Sequence, residues 1–517
     1  MKQKSRTEYS VMNTTVAFFA QAAAILMGFF TRVVFTHTLS EGYVGINGLF
    51  TDILNILSLS ELGVGTAIIF ALYEPIARHD IKKQKILMRM FRNFYRITAV
   101  IVLVAGLCLI PWLGIFMKNR PDVDHLMIIY LLYLINSAVS YLLVYKKTMI
   151  DAHQMNYLTI LYQNGFLIMQ DVGQIIVLLI TKNFILFLIV AVACTITSNI
   201  VLSKKADELF PYLKEECKDK LPAEDRKEIY NNVKAMLMHK IGDVIVNNTD
   251  NLLISGYVGV ISAGIYSNYY LIIGSVRQVL MQAMQGVAAS VGNLGATEDD
   301  EKVHRIYRQL FFIGQWLFGF AGICLYELLN PFVELAFGKQ YLFTSDIVLI
   351  LCINFFISGT RRAMIIFKES MGLFWYDRHM GIVEAILNLV ISLFLVKHIG
   401  IVGVFLGTFC STVMTAMWAE PYILYKYRFH KSPVRFFLNY GWNLIVMTIV
   451  WWCTDWLCGF VEENVIVEMI LRFIICMFVP NLLLFLIYFR TQEYKELQKL
   501  VYAVIKKAKT KIIHIQN

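Results

Sequence analysis

Little of this chain is suited to water. Only one hydrophilic stretch of any length occurs, from Ser203 to about Tyr230, and prolines number just 9 in 517 residues. No Ser-rich or Gly-rich tract is present, which leaves no room for a disordered arm. The nine cysteines include no CxxC pair and lie mostly inside apolar stretches, where sulfur acts as small apolar filler. Neither disulfides nor zinc are expected. The phosphate loop G-x-x-x-x-G-K-[ST], the H-E-x-x-H pair and the G-x-S-x-G elbow are all missing. No soluble domain exists to carry nucleotide hydrolysis. The expectation is a protein that is not an enzyme and needs no cofactor or metal.

What remains is hydrocarbon-like. Hydrophobic residues make up 58% of the chain. They form fourteen stretches near 12–33, 44–70, 93–115, 125–145, 157–181, 184–203, 236–257, 263–290, 310–330, 345–366, 379–397, 401–424, 438–459 and 466–489. A bilayer core is spanned by about 20 helical residues. The fold class is therefore all-α, a polytopic membrane protein of about fourteen helices. At the N-terminus, Lys2, Lys4 and Arg6 precede an apolar run that passes the signal-like Ala20-Gln21-Ala22 and continues to Phe30, so an uncleaved first span is expected.

Charge sets the orientation. Segments 1–11, 72–92, 146–156, 204–240, 293–308, 361–378, 425–435 and 490–517 hold 38 of the 47 Lys and Arg. Cytoplasmic loops retain such an excess, which places both termini inside the cell. The net charge of +10 thus reflects topology and attraction to anionic membrane lipids, and nucleic acid is not an expected partner.

The chain divides into an N-lobe of six spans over 1–203, a cytoplasmic connector over 204–235 and a C-lobe of six spans over 236–424. A helix pair over 425–489 and a basic amphipathic tail over 490–517 follow. The lobes are weakly alike: Gly42-Tyr43-Val44-Gly45-Ile46-Asn47 opens the second span and Ala263-Gly264-Ile265-Tyr266-Ser267-Asn268 the eighth. In the tail, Tyr494, Leu497, Val501, Val504 and Ile505 share one helical face, as an interfacial helix would arrange them.

A charge at membrane depth costs about 2.5–3.5 kcal/mol on insertion scales, so intramembrane ionisable groups face a protein interior or a wet cavity. In span seven, His239, Asp243, Asn247 and Asp250 fall within a sector of roughly 80°. Span eight aligns Asn268, Ser275, Gln278, Gln282 and Gln285, with Arg277 off that stripe and suited to a partner on another helix. Span one carries Arg32, and span five carries Asp171 beside Gln170 and Gln174. Span eleven carries Glu384, Asn388 and Ser392 at i, i+4. In span two, each step of three from Asp52 through Asn55 and Ser58 to Glu61 rotates by about 60°, carrying Glu61 to the face opposite Asp52, so these residues share one cavity only if the helix is broken. Arg361 and Arg362, near the inner end of span ten, read as topology charge. The plain explanation of the uncharged stripes is hydrogen bonding between helices.

The segment EGYVGINGLFTDILNILSLSELGVGTAI followed by ALYEPIARHD, and the later NNTDNLLISGYVGVISAGIYSNY, resemble bacterial polysaccharide flippases. These are the Wzx-type members of the multidrug, oligosaccharidyl-lipid and polysaccharide exporter superfamily. The resemblance covers essentially the whole chain. It implies two six-helix lobes around a cavity that opens alternately to either side, with spans thirteen and fourteen forming a lateral groove. It further implies, as cargo, an oligosaccharide linked to undecaprenyl diphosphate, carried from the inner to the outer leaflet of the bacterial cytoplasmic membrane for O-antigen, capsule or exopolysaccharide assembly. Polysaccharide assembly proteins are then possible partners. Arg32, Asp52, Asp250 and Arg277 are the implied path residues, joined by Asn55, Asn247 and Gln278 on the same polar stripes. Asp171, Asp243 and Glu384 are candidates for a coupling proton or sodium ion. Two other readings stand beside this one: a cation-coupled multidrug antiporter of the same superfamily, and a membrane-embedded polymerase or acyltransferase.

Overall fold

The computed structural model describes residues 6–58, 64–153, 155–215, 219, 221–222, 227, 248–285, 291, 299–373, 376, 379–461 and 464–498, with backbone alone for 6–18 and 64–70. Every regular element among them is helical. Contacts divide the chain into two compact units, Met1–Ser267 and Asn268–Asn517.

The first unit contains α1 (Arg6–Thr38), α2 (Glu41–Leu57), α3 (Val64–Ala77), α4 (Ile81–Leu109), α5 (Leu126–Ser140), α6 (Val144–Ala152), α7 (Asn156–Thr181) and α8 (Phe184–Leu209). A helical run over 248–253 then relaxes into the π-turn Ile254–Val258, and α9 (Val260–Gln285) begins. Side-chain caps set several starts. Asp80 accepts from the Lys83 amide at 2.9 Å, and Asn183 accepts from Ile185 at 2.8 Å and Leu186 at 3.2 Å, meeting donors that a helix start leaves without partners. The second span is described as two helices, α2 ending at Leu57 with Ser58 as its C-cap and α3 starting at Val64. Glu61 lies outside the described residues. The fourth span also bends, by 40° between α5 and α6, where Leu143 takes a left-handed φ of 68°.

The second unit holds most of α9 and then α10 (Asp300–Phe337), α11 (Ser345–Ser370), α12 (Met380–Ile399), α13 (Ile401–Met414), α14 (Ala416–Tyr427), α15 (Val434–Cys458) and α16 (Val465–Tyr488). Gly400, at φ 62°, turns α12 directly into α13. Gly403 and Gly407 then let the two backbones close, since a Cβ on Gly407 would stand 2.8 Å from the Ser392 backbone. A core cluster joins Phe312, Ile323, Val446, Met447, Val450, Leu484 and Tyr488 from α10, α15 and α16. Tyr494 and Leu497 pack against it. The first part of the tail therefore turns its apolar face onto the protein, where a membrane-surface helix was expected; Val501, Val504 and Ile505 lie outside the described residues.

Polarity is inverted relative to a water-soluble core. Ile180 is 76% exposed, Leu438 70% and Phe478 69%, whereas Asn388, Ser392 and Asn268 are fully buried. Such a surface is stable against lipid tails and unstable against water. Ten described helices are long and apolar enough to cross a membrane, or eleven with the bent α5–α6 pair. The chain is a multi-pass integral membrane protein. The expected spans missing from that set are the second, the seventh and the eighth. The second and seventh lie partly outside the described residues, and the eighth, α9, falls short because Asn268, Ser275 and Arg277 lower its apolarity.

Candidate functional site

In the first unit, helix α2 and the run at 248–258 bring polar groups together. Asn251 donates its side-chain amide to the Asp52 carboxylate at 2.5 Å, and Asn55 donates to the Asn248 carbonyl oxygen at 3.3 Å. Asp250, 8% exposed, sits one residue from the first of these pairs. The run is anchored at its far end: the Ser255 hydroxyl donates to the Phe116 carbonyl at 2.6 Å, and the Lys118 amide donates to the Ser255 carbonyl at 3.0 Å. The intervening π-turn widens the helix, a distortion frequent at functional sites. On α1, Arg32 is buried, with its guanidinium carbon 5.6 Å from the centre of the Phe35 ring. On the same helix, Thr31 and Thr36 donate their hydroxyls to the helix's own carbonyls of Met27 and Arg32. Asp171 is half-buried on α7. Asn247 and Asp243 lie outside the described residues.

In the second unit the candidates separate. Gln278 is exposed on α9, and Arg277 donates to the Tyr270 hydroxyl at 2.9 Å, so its partner lies two turns back on its own helix and not on another one. Glu384 is enclosed. Its carboxylate meets Arg361 at 3.1 and 3.5 Å and accepts from Thr412 at 2.8 Å. Arg361 also reaches Glu420 at 3.0 and 3.4 Å, and Lys368 stands 3.6 Å from the same carboxylate. Two cations and two anions cancel within this cluster. Arg361 is therefore a buried ion-pair residue, contrary to its reading as topology charge. Further along α12, Asn388 donates to Thr408 at 2.9 Å and Ser392 to the Val404 carbonyl at 3.1 Å. Each residue of the α12 stripe thus bonds to α11 or α13.

A second buried acid pairs in the same unit. Glu327, 2% exposed on α10, lies 3.8 Å from Arg472 of α16, which also holds Glu468 at 2.8 Å. Glu327 and Glu420 were legible as isolated acids in apolar runs, LYELLNP and MWAEPYI, by the same rule that singled out Glu384. Among the described residues no group of three or more His, Cys, Asp or Glu is placed to hold a metal ion.

No family model and no curated protein sequence matches the chain. Solved structures do. The lipid II flippase MurJ in an inward closed conformation superposes with a TM-score of 0.69 at 12% identity, over 92% of this chain and 99% of that one. An inward-facing multidrug resistance MATE family transporter of the MOP superfamily gives 0.62 at 14%, over 80% and 98%. The Vibrio cholerae MATE transporter VcmN, as a point mutant, gives 0.53 at 13%, over 81% and 98%. At such identities the likeness is one of fold: this chain is built as the flippase and exporter structures of that superfamily are.

Proposed function

We propose that the chain is a flippase that carries an undecaprenyl-diphosphate-linked oligosaccharide from the inner to the outer leaflet for surface polysaccharide assembly. The observation that carries this reading is the extent of the fold match. The likeness to a lipid II flippase extends over 92% of the chain, against 80% for the multidrug transporter of next-highest score quoted above. A lipid-borne cargo therefore suits the extent of the likeness.

On this reading the protein lies in the bacterial cytoplasmic membrane with both termini inside, as the Lys and Arg distribution favours. Arg32, Asp52, Asn55 and Asp250 of the first unit are the described residues proposed to meet the sugar and diphosphate; Asn247, Arg277 and Gln278 are carried as proposals from the sequence alone. Asp171 and Asp243 are the remaining coupling candidates. Glu384 serves that role less well, because Arg361 and Thr412 already occupy its carboxylate. The membrane potential can itself drive export: outward movement of each negative charge is favourable by about 2.3 kcal/mol per 100 mV.

The test is transport. Vesicles holding the purified protein should move a fluorescent lipid-linked oligosaccharide between leaflets, faster under an imposed potential. Absence of movement with every such lipid, alongside gradient-driven uptake of cationic dyes, would replace this reading with the multidrug antiporter. Turnover of a lipid-linked glycan in detergent would replace it with an enzyme.

A further inference from the structure

At one end of the second unit a cavity of about 780 Å³ opens between the start of α10, the α14–α15 connection, α15 and the end of α16. It belongs to none of the candidate path residues. Its volume falls within the range of about 300–1,000 Å³ typical of small-ligand sites.

The walls carry cations. Arg308, Lys431 and Arg435 line the cavity, opposed by the single carboxylate of Glu493, which pairs with Arg308. Neither Lys431 nor Arg435 has an ion-pair partner among the described residues. Both are exposed, Lys431 on the α14–α15 connection and Arg435 in the first turn of α15.

The floor carries donors. Gln315 is 2% exposed; its side-chain oxygen accepts from Asn443 at 2.5 Å, while its amide nitrogen has no hydrogen-bond partner. Tyr307 is fully buried, and its hydroxyl is likewise without a partner. A buried donor left unsatisfied is costly, and natural structures rarely keep one without a use. Two orphaned donors belong to side chains that line the same cavity as two unpaired cations, a set of groups whose chemistry suits an oxyanion.

The remaining wall is apolar and leads outward. Trp442 is 56% exposed and Ile487 39% exposed, and both border the cavity; Leu438, one turn from Trp442, is 70% exposed. An anion entering here would have a lipid-facing flank directly beside it. Indole rings favour the headgroup level, and basic pockets between membrane helices on the cytoplasmic side suit phosphorylated lipid headgroups.

We infer that this cavity binds the phosphate headgroup of a membrane lipid, with its chain lying along Trp442 and Ile487. The side on which it lies rests on the orientation adopted above; the site itself does not depend on the transport reading. One headgroup chemistry can come from two sources, an anionic phospholipid of the leaflet or a polyprenyl phosphate lipid.

Native mass spectrometry of the purified full-length protein separates the cases. The probes are phosphatidylglycerol, undecaprenyl phosphate, diacylglycerol as a phosphate-free control, and inorganic pyrophosphate as a competitor. Retention of either phosphate lipid over diacylglycerol, displaced by pyrophosphate, is expected. The double variant K431Q/R435Q should weaken that retention about tenfold, since two charge-assisted contacts are removed. These side chains are exposed, so the fold should hold, and an unchanged melting temperature checks this. Q315L, which removes the floor donor, should weaken binding independently. Preference for phosphatidylglycerol would identify a resident leaflet lipid, and preference for undecaprenyl phosphate a docking point for isoprenoid cargo. Equal retention of diacylglycerol, or retention unchanged in both variants, overturns the inference, whatever the outcome of the transport assay.

Discussion

Gly264 of α9 lies against the backbone of Gly45 of α2: a Cβ on Gly264 would stand 2.7 Å from the Gly45 amide nitrogen and 2.9 Å from its Cα. A Cβ on Gly45 would in turn meet the Val260 carbonyl oxygen at 2.2 Å. Both obstacles are backbone, so neither can rotate aside. Gly264→Ala and Gly45→Ala should each destabilise the protein by about 1–3 kcal/mol, as overpacking does, and lower its melting temperature in detergent. Gly274 is the control, because nothing lies within 4 Å of its Cβ position on the same helix α9. Gly274→Ala should be neutral or stabilising by up to about 1 kcal/mol through helix propensity. Equal shifts in all three variants would refute the close crossing.

The cluster of Arg361, Glu384, Glu420 and Lys368 makes a prediction of a different kind. Removing one member of a buried ion pair costs about 3–5 kcal/mol, because its partner keeps an uncompensated charge. Glu420, 1% exposed, meets both Arg361 and Lys368. Arg361→Gln and Glu420→Gln should therefore each abolish or strongly reduce yield of folded protein. The double variant should recover part of the loss, giving a coupling energy that a melting series reads directly. A Glu384→Gln protein that folds normally but loses all dependence on an ion gradient would instead make that carboxylate a coupling site.

The parts of this fold readable from sequence are those where one helix decides the matter alone. Helices α7 and α8 begin within one residue of the expected spans, since an apolar run and the Asn183 cap are local signals. The second span was expected as one run over 44–70, with a break only as the condition for Asp52, Asn55, Ser58 and Glu61 to share a cavity; α2 ends at Leu57, and Glu61 lies outside the described residues. The stripe of Glu384, Asn388 and Ser392 was legible as a stripe, but its partners Arg361, Thr412 and Thr408 sit on helices brought together by packing. The same holds for Gly45 and Gly264: their matching sequence contexts were visible as a repeat, and their contact was not. The bend at Thr415, with φ −120° and ψ −85°, splits the twelfth span into α13 and α14 without any glycine or proline at that position to announce it.

At the end of α6, the His153 ring packs against Phe210, tilted by 36° with ring centres 4.3 Å apart, and its Nδ1 lies 2.9 Å from the Met149 carbonyl oxygen. Burial lowers its pKa from the ordinary 6.5. The folded chain thus takes up the proton less readily than the unfolded one, and stability must fall as pH drops through 6.5 toward the folded value, then level off. Melting temperature should decline between about pH 7.5 and 5.5, and His153→Phe should flatten that decline while keeping the ring contact. An identical decline in the variant would assign the pH dependence to other groups.

Asp52 and Asn251 offer the sharpest separation of structure from transport. The Asn251 amide holds the Asp52 carboxylate at 2.5 Å, so Asp52→Leu leaves a buried donor without its acceptor and should destabilise the protein by about 1–3 kcal/mol. Asp52→Asn keeps shape and an accepting oxygen while deleting the charge. If the carboxylate serves the cargo or its coupling ion, Asp52→Asn should melt within a few degrees of the parent, since a shift of that size corresponds to about 1 kcal/mol or less. Its rate of lipid-linked sugar movement should fall about tenfold, the effect of losing about 1.4 kcal/mol. Asn251→Ala then tests direction: it frees the carboxylate without removing it, so transport should survive better than in Asp52→Asn. Full activity in Asp52→Asn would reduce the pair to a brace between α2 and the 248–258 run, and the path would have to be sought around Arg32 and Asp250.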